Sequence, residues 1–161
     1  MFRLIDSPLG PLRLQASPRG LSRVDITAAS TPQEAADSAV KGDSEKHSAA
    51  VLDAAQTQLA EYFAGRRRAF ELPLDPPRTT DFRAAVHAQL MKIAYGETVT
   101  YRDVAKKLGR PGATRAVGSA CGANPLLIVR PCHRVLRSDG GLGGYAGGLE
   151  AKRFLLALEE I

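Results

Sequence analysis

Hydrophobic positions alternate over the first 27 residues and then change period. Phe2-Arg3-Leu4-Ile5, Leu12-Arg13-Leu14 and Leu21 to Ile26 read as short strands, separated by Ser7-Pro8-Leu9-Gly10-Pro11 and Ser17-Pro18-Arg19-Gly20. Alternation of this kind buries one face of a sheet, and the Pro/Gly clusters supply its turns. Thr27 to about Lys46 is small-residue and polar sequence, expected as a surface loop. From His47 to Ala64 the apolar residues Val51, Leu52, Ala55, Leu59, Tyr62 and Phe63 recur at helical spacing, with Gly65 as the stop. Arg66-Arg67-Arg68 behind that helix reads as a solvated end rather than a binding site.

Leu72-Pro73-Leu74-Asp75-Pro76-Pro77 reads as a linker, because paired prolines exclude helix and sheet, and it divides the chain into 1–75 and 76–161. Thr80 or Asp81 caps a helix with Phe82, Val86, Leu90 and Ile93 on its apolar side and Gly96 at its end. Thr100 with Asp103 three residues on has the form of a capping box, opening a short helix with Val104 and Leu108 inside. A turn at Gly109-Arg110-Pro111-Gly112 leads to a second short helix from Ala113 to about Cys121. Leu126 to Val129 reads as a short buried strand, Asp139 to Gly148 as a glycine-rich loop, and Leu149 to Glu160 as a closing helix. The expected fold class is α+β: a small N-terminal antiparallel sheet with a helix, followed by a mainly helical C-terminal domain containing a helix-turn-helix.

Composition narrows this picture. A chain of 161 residues, 44% hydrophobic and 24% charged, has material for one core or two small ones, and is not of disordered type. Cys121 and Cys132 are too few for a disulfide framework or a cysteine-based zinc site, so no metal and no cofactor is expected. Met1 to Asp6 lacks a basic leader before a long apolar run, and no stretch approaches the ~18 apolar residues of a membrane span. The expectation is a soluble protein of a reducing compartment with no membrane partner. The net charge is +5, but it is regional. Arg102, Lys106, Lys107, Arg110, Arg115, Arg130 and Arg134 fall between Tyr101 and Arg134, opposed only by Asp103, which suits a polyanionic partner.

Two short helices around a glycine turn, in the most basic part of the chain, form a helix-turn-helix candidate. The second, Gly112-Ala113-Thr114-Arg115-Ala116-Val117-Gly118-Ser119-Ala120, is almost all small residues with one arginine. Gly118 weakens a helix, so a reason for it is needed. Either a smooth face lies against a nucleic-acid groove with Arg115 pushed into it, or the helix packs tightly on another helix with Arg115 in a surface ion pair. The local pattern favours neither. A second constellation is Pro131-Cys132-His133-Arg134. A thiolate is the nucleophilic form of cysteine, and Arg130, His133 and Arg134 surround Cys132 with cations that favour it. A base there needs a carboxylate to orient it; Glu159 and Glu160 are the candidates. The opposing reading is a buried small hydrophobe, against which Pro131 and the polar pair after the cysteine argue.

Pro131-Cys132-His133-Arg134-Val135 resembles the active-site signature of the methylated-DNA–protein-cysteine methyltransferases, the O6-alkylguanine-DNA alkyltransferases. The likeness extends through Tyr95 to Tyr101, Arg115-Ala116-Val117-Gly118, Asn124-Pro125, and Gly144-Tyr145-Ala146-Gly147-Gly148-Leu149 to Lys152. It covers Asp81 to Glu159 closely and the opening Asp6 to Gly10 more loosely. The resemblance implies a ribonuclease H-like N-terminal domain that supports the other. It also implies a cytoplasmic, monomeric DNA-repair protein of bacterial type that flips O6-alkylguanine out of double-stranded DNA. Cys132 would take the alkyl group as a thioether, irreversibly, so each molecule acts once. His133 would act as base through a water, oriented by Glu159. Tyr101 would donate a proton to guanine N3, and Asn124 would brace the turn before the active-site strand. Arg115 would enter the stack where the nucleotide has left it, with Thr114, Ala116, Gly118, Ser119 and Cys121 on the same DNA-binding helix, which in the family lies in the minor groove. The backbone around Val135, Tyr145 and Ala146 would form the base pocket.

Four positions depart from the family pattern. Arg130 replaces an aliphatic residue, and its charge would raise thiol acidity, contact phosphate or only reach solvent. Ala146 stands where many members have Ser, and His87 where an aromatic is common, the latter read as a packing variation. Cys121 is read as structural rather than as a second acceptor. Two other classes compete. An alkyltransferase-like binding module lacks the acceptor cysteine, which this chain has. A thiol hydrolase or redox enzyme would turn over or carry a resolving cysteine, and leaves Arg115 unexplained.

Overall fold

The computed structural model describes residues 1–27 and 42–160. The chain forms two compact units, Met1–Pro77 and Arg78–Ile161. In the first, strands β1 (Phe2–Ile5), β2 (Leu12–Ser17) and β3 (Gly20–Ile26) make an antiparallel meander in the order β1-β2-β3. Leu12, Leu14 and Ala16 of the central strand are buried while Arg13, Gln15 and Ser17 are not, which is the period-2 pattern of its sequence. Helix α1 (Asp43–Phe63) covers that face with Val51, Leu52, Ala55, Leu59 and Tyr62. It starts four residues before the expected His47, with Asp43 and Glu45 in its first turn, where the helix dipole favours acids. The expected loop therefore ends earlier than Lys46, and its residues 28–41 lie outside those described. Gly65, at φ 75°, closes the helix while the Arg66 N–H reaches the Glu61 carbonyl.

The segment Leu72–Pro77 is not free of sheet structure. Leu74 bridges Leu21 in parallel; the Leu21 N–H donates to the Pro73 carbonyl at 2.8 Å and the Asp75 N–H to the Leu21 carbonyl at 2.8 Å. Proline lacks only the N–H, and this edge uses Pro73 solely as an acceptor.

In the second unit, α2 (Asp81–Leu90) is capped by Thr80, whose side chain accepts from the Arg83 N–H. It stops before Ile93; turns then run to Gly96 at φ 79°. The capping box is present: the Asp103 N–H donates to Thr100 Oγ1 at 3.0 Å, and the Thr100 N–H to Asp103 Oδ2 at 2.9 Å. It opens α3 (Tyr101–Lys107), which packs with α2 around α4 (Thr114–Gly122). Strand β4 (Val99–Thr100) pairs in parallel with β5 (Val135–Leu136), and α5 (Leu149–Glu159) ends the unit.

Leu126 to Val129 is not the expected strand. The Val129 N–H donates to the Leu127 carbonyl at 2.8 Å around Ile128, whose φ of 72° is strained for a β-branched residue. A second three-residue turn follows at Pro131 (φ −80°, ψ 63°), where the Cys132 N–H donates to the Arg130 carbonyl at 2.8 Å. Four buried apolar residues look the same in sequence whether they extend or turn. Among the described residues no helix is long and apolar enough to cross a membrane.

The join of β3 to Leu74 yields a test. A Cβ on Gly20 would stand 2.6 Å from the Pro73 carbonyl oxygen, a backbone atom that cannot swing aside. Gly20→Ala is expected to destabilise the first unit by about 1–3 kcal/mol, the usual range for overpacking, in denaturant unfolding. Wild-type stability in that variant would contradict the close approach.

Candidate active site

Cys132 opens a 3-10 turn, Cys132–Arg134, that all but buries three polar or reactive residues in a row. Cys132 is 4% exposed, against the expectation that its neighbours would keep it out of the interior. The neighbours are buried because each has a partner. His133 Nε2 lies 2.9 Å from both oxygens of Glu159. Arg134 donates from Nε to the same carboxylate at 2.7 Å and from Nη1 to the Ile93 carbonyl at 2.7 Å. Of the two candidate carboxylates, Glu159 is the buried one; Glu160 lies exposed beyond the helix.

These contacts fix protonation states. Burial pushes the Glu159 carboxyl up, but the His133 and Arg134 hydrogen bonds and charges outweigh it and hold the group below its usual range. Burial holds His133 below the usual imidazole value despite Glu159, so the ring is neutral. A neutral ring facing a carboxylate carries its proton on Nε2, an assignment made from the hydrogen bond. Nδ1 is therefore a lone pair; it is buried and has no hydrogen-bond partner among the described residues.

Asn124 organises the other side of the cysteine. Its Nδ2 donates to the Arg130 carbonyl at 2.9 Å and to Cys132 Sγ at 3.2 Å, while its Oδ1 accepts from the Leu126 N–H at 3.0 Å. It pins a buried turn, not a strand. Burial pushes the Cys132 thiol up; the Asn124 donor, then Lys152, a backbone N–H and Arg130 pull it down.

Cys132 looks into a cavity of about 470 Å³, lined also by Tyr101, Gly118, Cys121, Gly122, Gly144, Tyr145 and Ala146. Burial, then the two thiols, push the Tyr101 hydroxyl up to about 12, so it stays a donor. Lys152, fully buried, donates from Nζ to the carbonyls of Val135 at 2.8 Å, Gly144 at 3.2 Å and Leu142, tying α5 to β5 and the glycine-rich loop. Val135 is buried in β5 and does not line the cavity, whereas Tyr145 and Ala146 do.

On α4, Arg115, Ala116 and Ser119 are exposed and Thr114 and Gly118 half-buried. Arg115 is in no ion pair among the described residues, and a Cβ on Gly118 would meet nothing within 4 Å. Helix packing therefore does not explain Gly118. Cys121, named above with the DNA-binding helix and read as structural, is 5% exposed and belongs to the cavity wall, with burial pushing its thiol up to about 12. Of the seven cations counted there, Arg130 and Arg134 are buried, leaving five on the surface.

A family model described as "6-O-methylguanine DNA methyltransferase, DNA binding domain" matches residues 81–161, and one described as its ribonuclease-like domain matches residues 1–76. The chain belongs to the O6-methylguanine-DNA methyltransferase family. A methylated-DNA–protein-cysteine methyltransferase of Methanosarcina barkeri is 42% identical over 99% of this chain and 96% of its own length. One from Mycobacterium tuberculosis is 42% identical over 99% and 92%. The crystal structure of the M. tuberculosis O6-methylguanine methyltransferase superposes with a TM-score of 0.80, and that protein in complex with DNA with 0.84; each covers 99% of this chain and 92% of that one at 40% identity.

Within this methyltransferase fold, sequence reasoning left Arg134 and Lys152 without roles. Both stand inside matching motifs, but only the structure shows Arg134 on Glu159 and Lys152 on three carbonyls. His87 is also buried, its Nε2 2.8 Å from the Ala120 carbonyl, so it joins α2 to α4.

The neutral histidines set the acid limit of stability. Burial holds both His87 and His133 below 6.5, and Glu159 sits below its usual value. In acid the unfolded chain takes up protons that the fold refuses. Stability is thus fully present above pH 6.5 and is lost as pH falls, by at most about 1.4 kcal/mol per pH unit for each histidine. Calorimetry is expected to give a Tm that drops from pH 7.5 to 5; a flat profile would contradict neutral imidazoles.

Proposed function

We infer that this protein repairs double-stranded DNA by moving the alkyl group of O6-alkylguanine onto its own Cys132, once per molecule. The observation that carries the reading is the buried Glu159–His133 pair next to Cys132, a cysteine that lines a cavity and takes the Asn124 donor on its sulfur. It is supported by family membership and by the DNA complex of the M. tuberculosis protein.

The geometry suits each step. Cys132 gives its proton, through a bridging water, to the Nδ1 lone pair of His133, and Glu159 stabilises the imidazolium that forms. The sulfur attacks the alkyl carbon; an S–C bond forms as the C–O6 bond breaks, and its electron pair stays on guanine. Tyr101, held as a hydroxyl, protonates guanine N3, so the leaving base is neutral. Asn124 offsets the negative charge on sulfur before the attack. Reversal would have to expel the cysteine thiolate from a stable S–C bond, so the alkyl group stays on Cys132.

Arg115 leads an exposed, small-residue helix, supporting insertion into the base stack when the damaged nucleotide turns into the cavity. Thr114, Ala116, Gly118 and Ser119 form the smooth surface around it. Tyr145 and Ala146 wall the base, with Val135 acting through the carbonyl that Lys152 holds. Residues 76–161 form the DNA-binding and transfer domain and 1–75 the supporting one. The family resemblance leads us to take the protein as a monomer working in the cytoplasm.

Incubation with DNA carrying O6-methylguanine is expected to add one methyl per molecule, on the Cys132 peptide by mass spectrometry. Binding without gain would favour a damage-binding module, and turnover a hydrolase. Cys132→Ala should lose transfer and keep DNA binding; retained transfer means that another residue is the acceptor. Arg115→Ala is expected to slow repair of duplex DNA at least tenfold more than reaction with free O6-methylguanine, since stacking must be replaced only in the duplex, at a few kcal/mol. Equal losses would remove Arg115 from nucleotide flipping.

A further inference from the structure

Arg130 stands two residues before Cys132, and none of these steps uses its side chain. It is 8% exposed, and its Nε is buried without a hydrogen-bond partner. No carboxylate pairs with it among the described residues. A buried cation lacking a counter-ion destabilises a fold, and an aliphatic side chain of similar length would avoid the penalty. Groups kept against stability tend to stand where their charge acts on chemistry. Two turns fix where this one stands. The Arg130 carbonyl accepts both the Cys132 N–H and Asn124 Nδ2, and the same Nδ2 also donates to Cys132 Sγ, so the Arg130 backbone is fixed beside the cysteine across Pro131.

Resting on the reading of Cys132 as alkyl acceptor, we propose that Arg130 is a positioning residue for the reacting sulfur: its guanidinium is a permanent cation that favours the thiolate of Cys132. The groups facing that sulfur are Lys152 from α5, Tyr101 from α3, Cys121 from α4 and the adjoining His133. Tyr101 and Cys121 are held protonated, and His133 is neutral. Arg130 and Lys152 are thus the cations available to Cys132. Lys152 is already engaged with three carbonyls, whereas Arg130 has its Nε unspent. The remaining titratable group beside Arg130 is His87 of α2, kept neutral by burial and by this same charge. Among the described residues, the Cys132 thiolate is thereby the anion that stands near Arg130. The consequence is a cysteine poised for attack at a lower pH than its burial alone permits.

The test compares Arg130→Ile, Arg130→Gln and Arg130→Lys with the unaltered protein in two assays across pH 5.5 to 10. One reads iodoacetamide labelling of the Cys132 peptide by mass spectrometry, and the other single-turnover methyl transfer from O6-methylguanine DNA. In both neutral variants the labelling midpoint should move to higher pH and transfer at pH 7 should slow by about three- to tenfold, as thiolate is lost. The Lys variant should keep the wild-type midpoint. Wild-type midpoints in the Ile and Gln variants, or the same displacement in the Lys variant, overturn the role of the charge. Absence of methyl transfer by the unaltered protein overturns instead the assignment of Cys132 as acceptor, which the labelling arm does not require.

Discussion

One buried carboxylate organises the reactive half of this protein. Glu159 receives the imidazole of His133 and the guanidinium of Arg134, and Arg134 reaches on to the Ile93 carbonyl behind α2. A lone carboxylate in such a place would be strongly disfavoured, and so would either partner. Together they hold α5, the 3-10 turn and the end of the α2 region in one arrangement. The same contacts decide which nitrogen of His133 carries the proton, and so which one holds the lone pair. Structure and reactivity therefore share one set of hydrogen bonds, and a change in one reaches the other.

Around this centre the backbone is bent more than a four-residue apolar stretch suggests. The segment from Asn124 to Cys132 folds back on itself through two three-residue turns, one at a left-handed Ile128. Asn124 is the tie, satisfying Leu126, Arg130 and the sulfur with a single amide. Strain at Ile128 is tolerated because the flanking residues Leu126, Leu127 and Val129 are buried and the tie leaves the chain nowhere else to go. The cysteine is then presented to a cavity walled by small residues and by Tyr101 and Tyr145.

Much of this was legible in the residues. The strand alternation, the capping box at Thr100 and the amphipathic α1 follow from local rules, and they place β1 to β3, α1 and α3. The five-residue cysteine motif pointed to the family. What the residues did not disclose depends on contacts distant in sequence. Leu74 joins the sheet through a carbonyl that a proline keeps, and no local rule announces it. The turn at Ile128 has the composition of a strand. Arg130 and Arg134 look alike in a charge count, yet Arg134 is matched by Glu159 and Arg130 by no carboxylate among the described residues. Cys121 sits on a helix with exposed neighbours but on the side that faces inward.

The order of parts along the chain also has a meaning in time. Glu159 follows His133 by 26 residues and sits in the last turn of α5, whereas the cysteine and its Asn124 tie come earlier. During synthesis the thiol leaves the ribosome before the carboxylate that orients its base and before Lys152, which fastens the cavity wall. Until α5 docks, the His133 imidazole lacks the Glu159 contact that sets its tautomer. On the proposed reading of Cys132 as acceptor, the sulfur is made before the groups that complete its site.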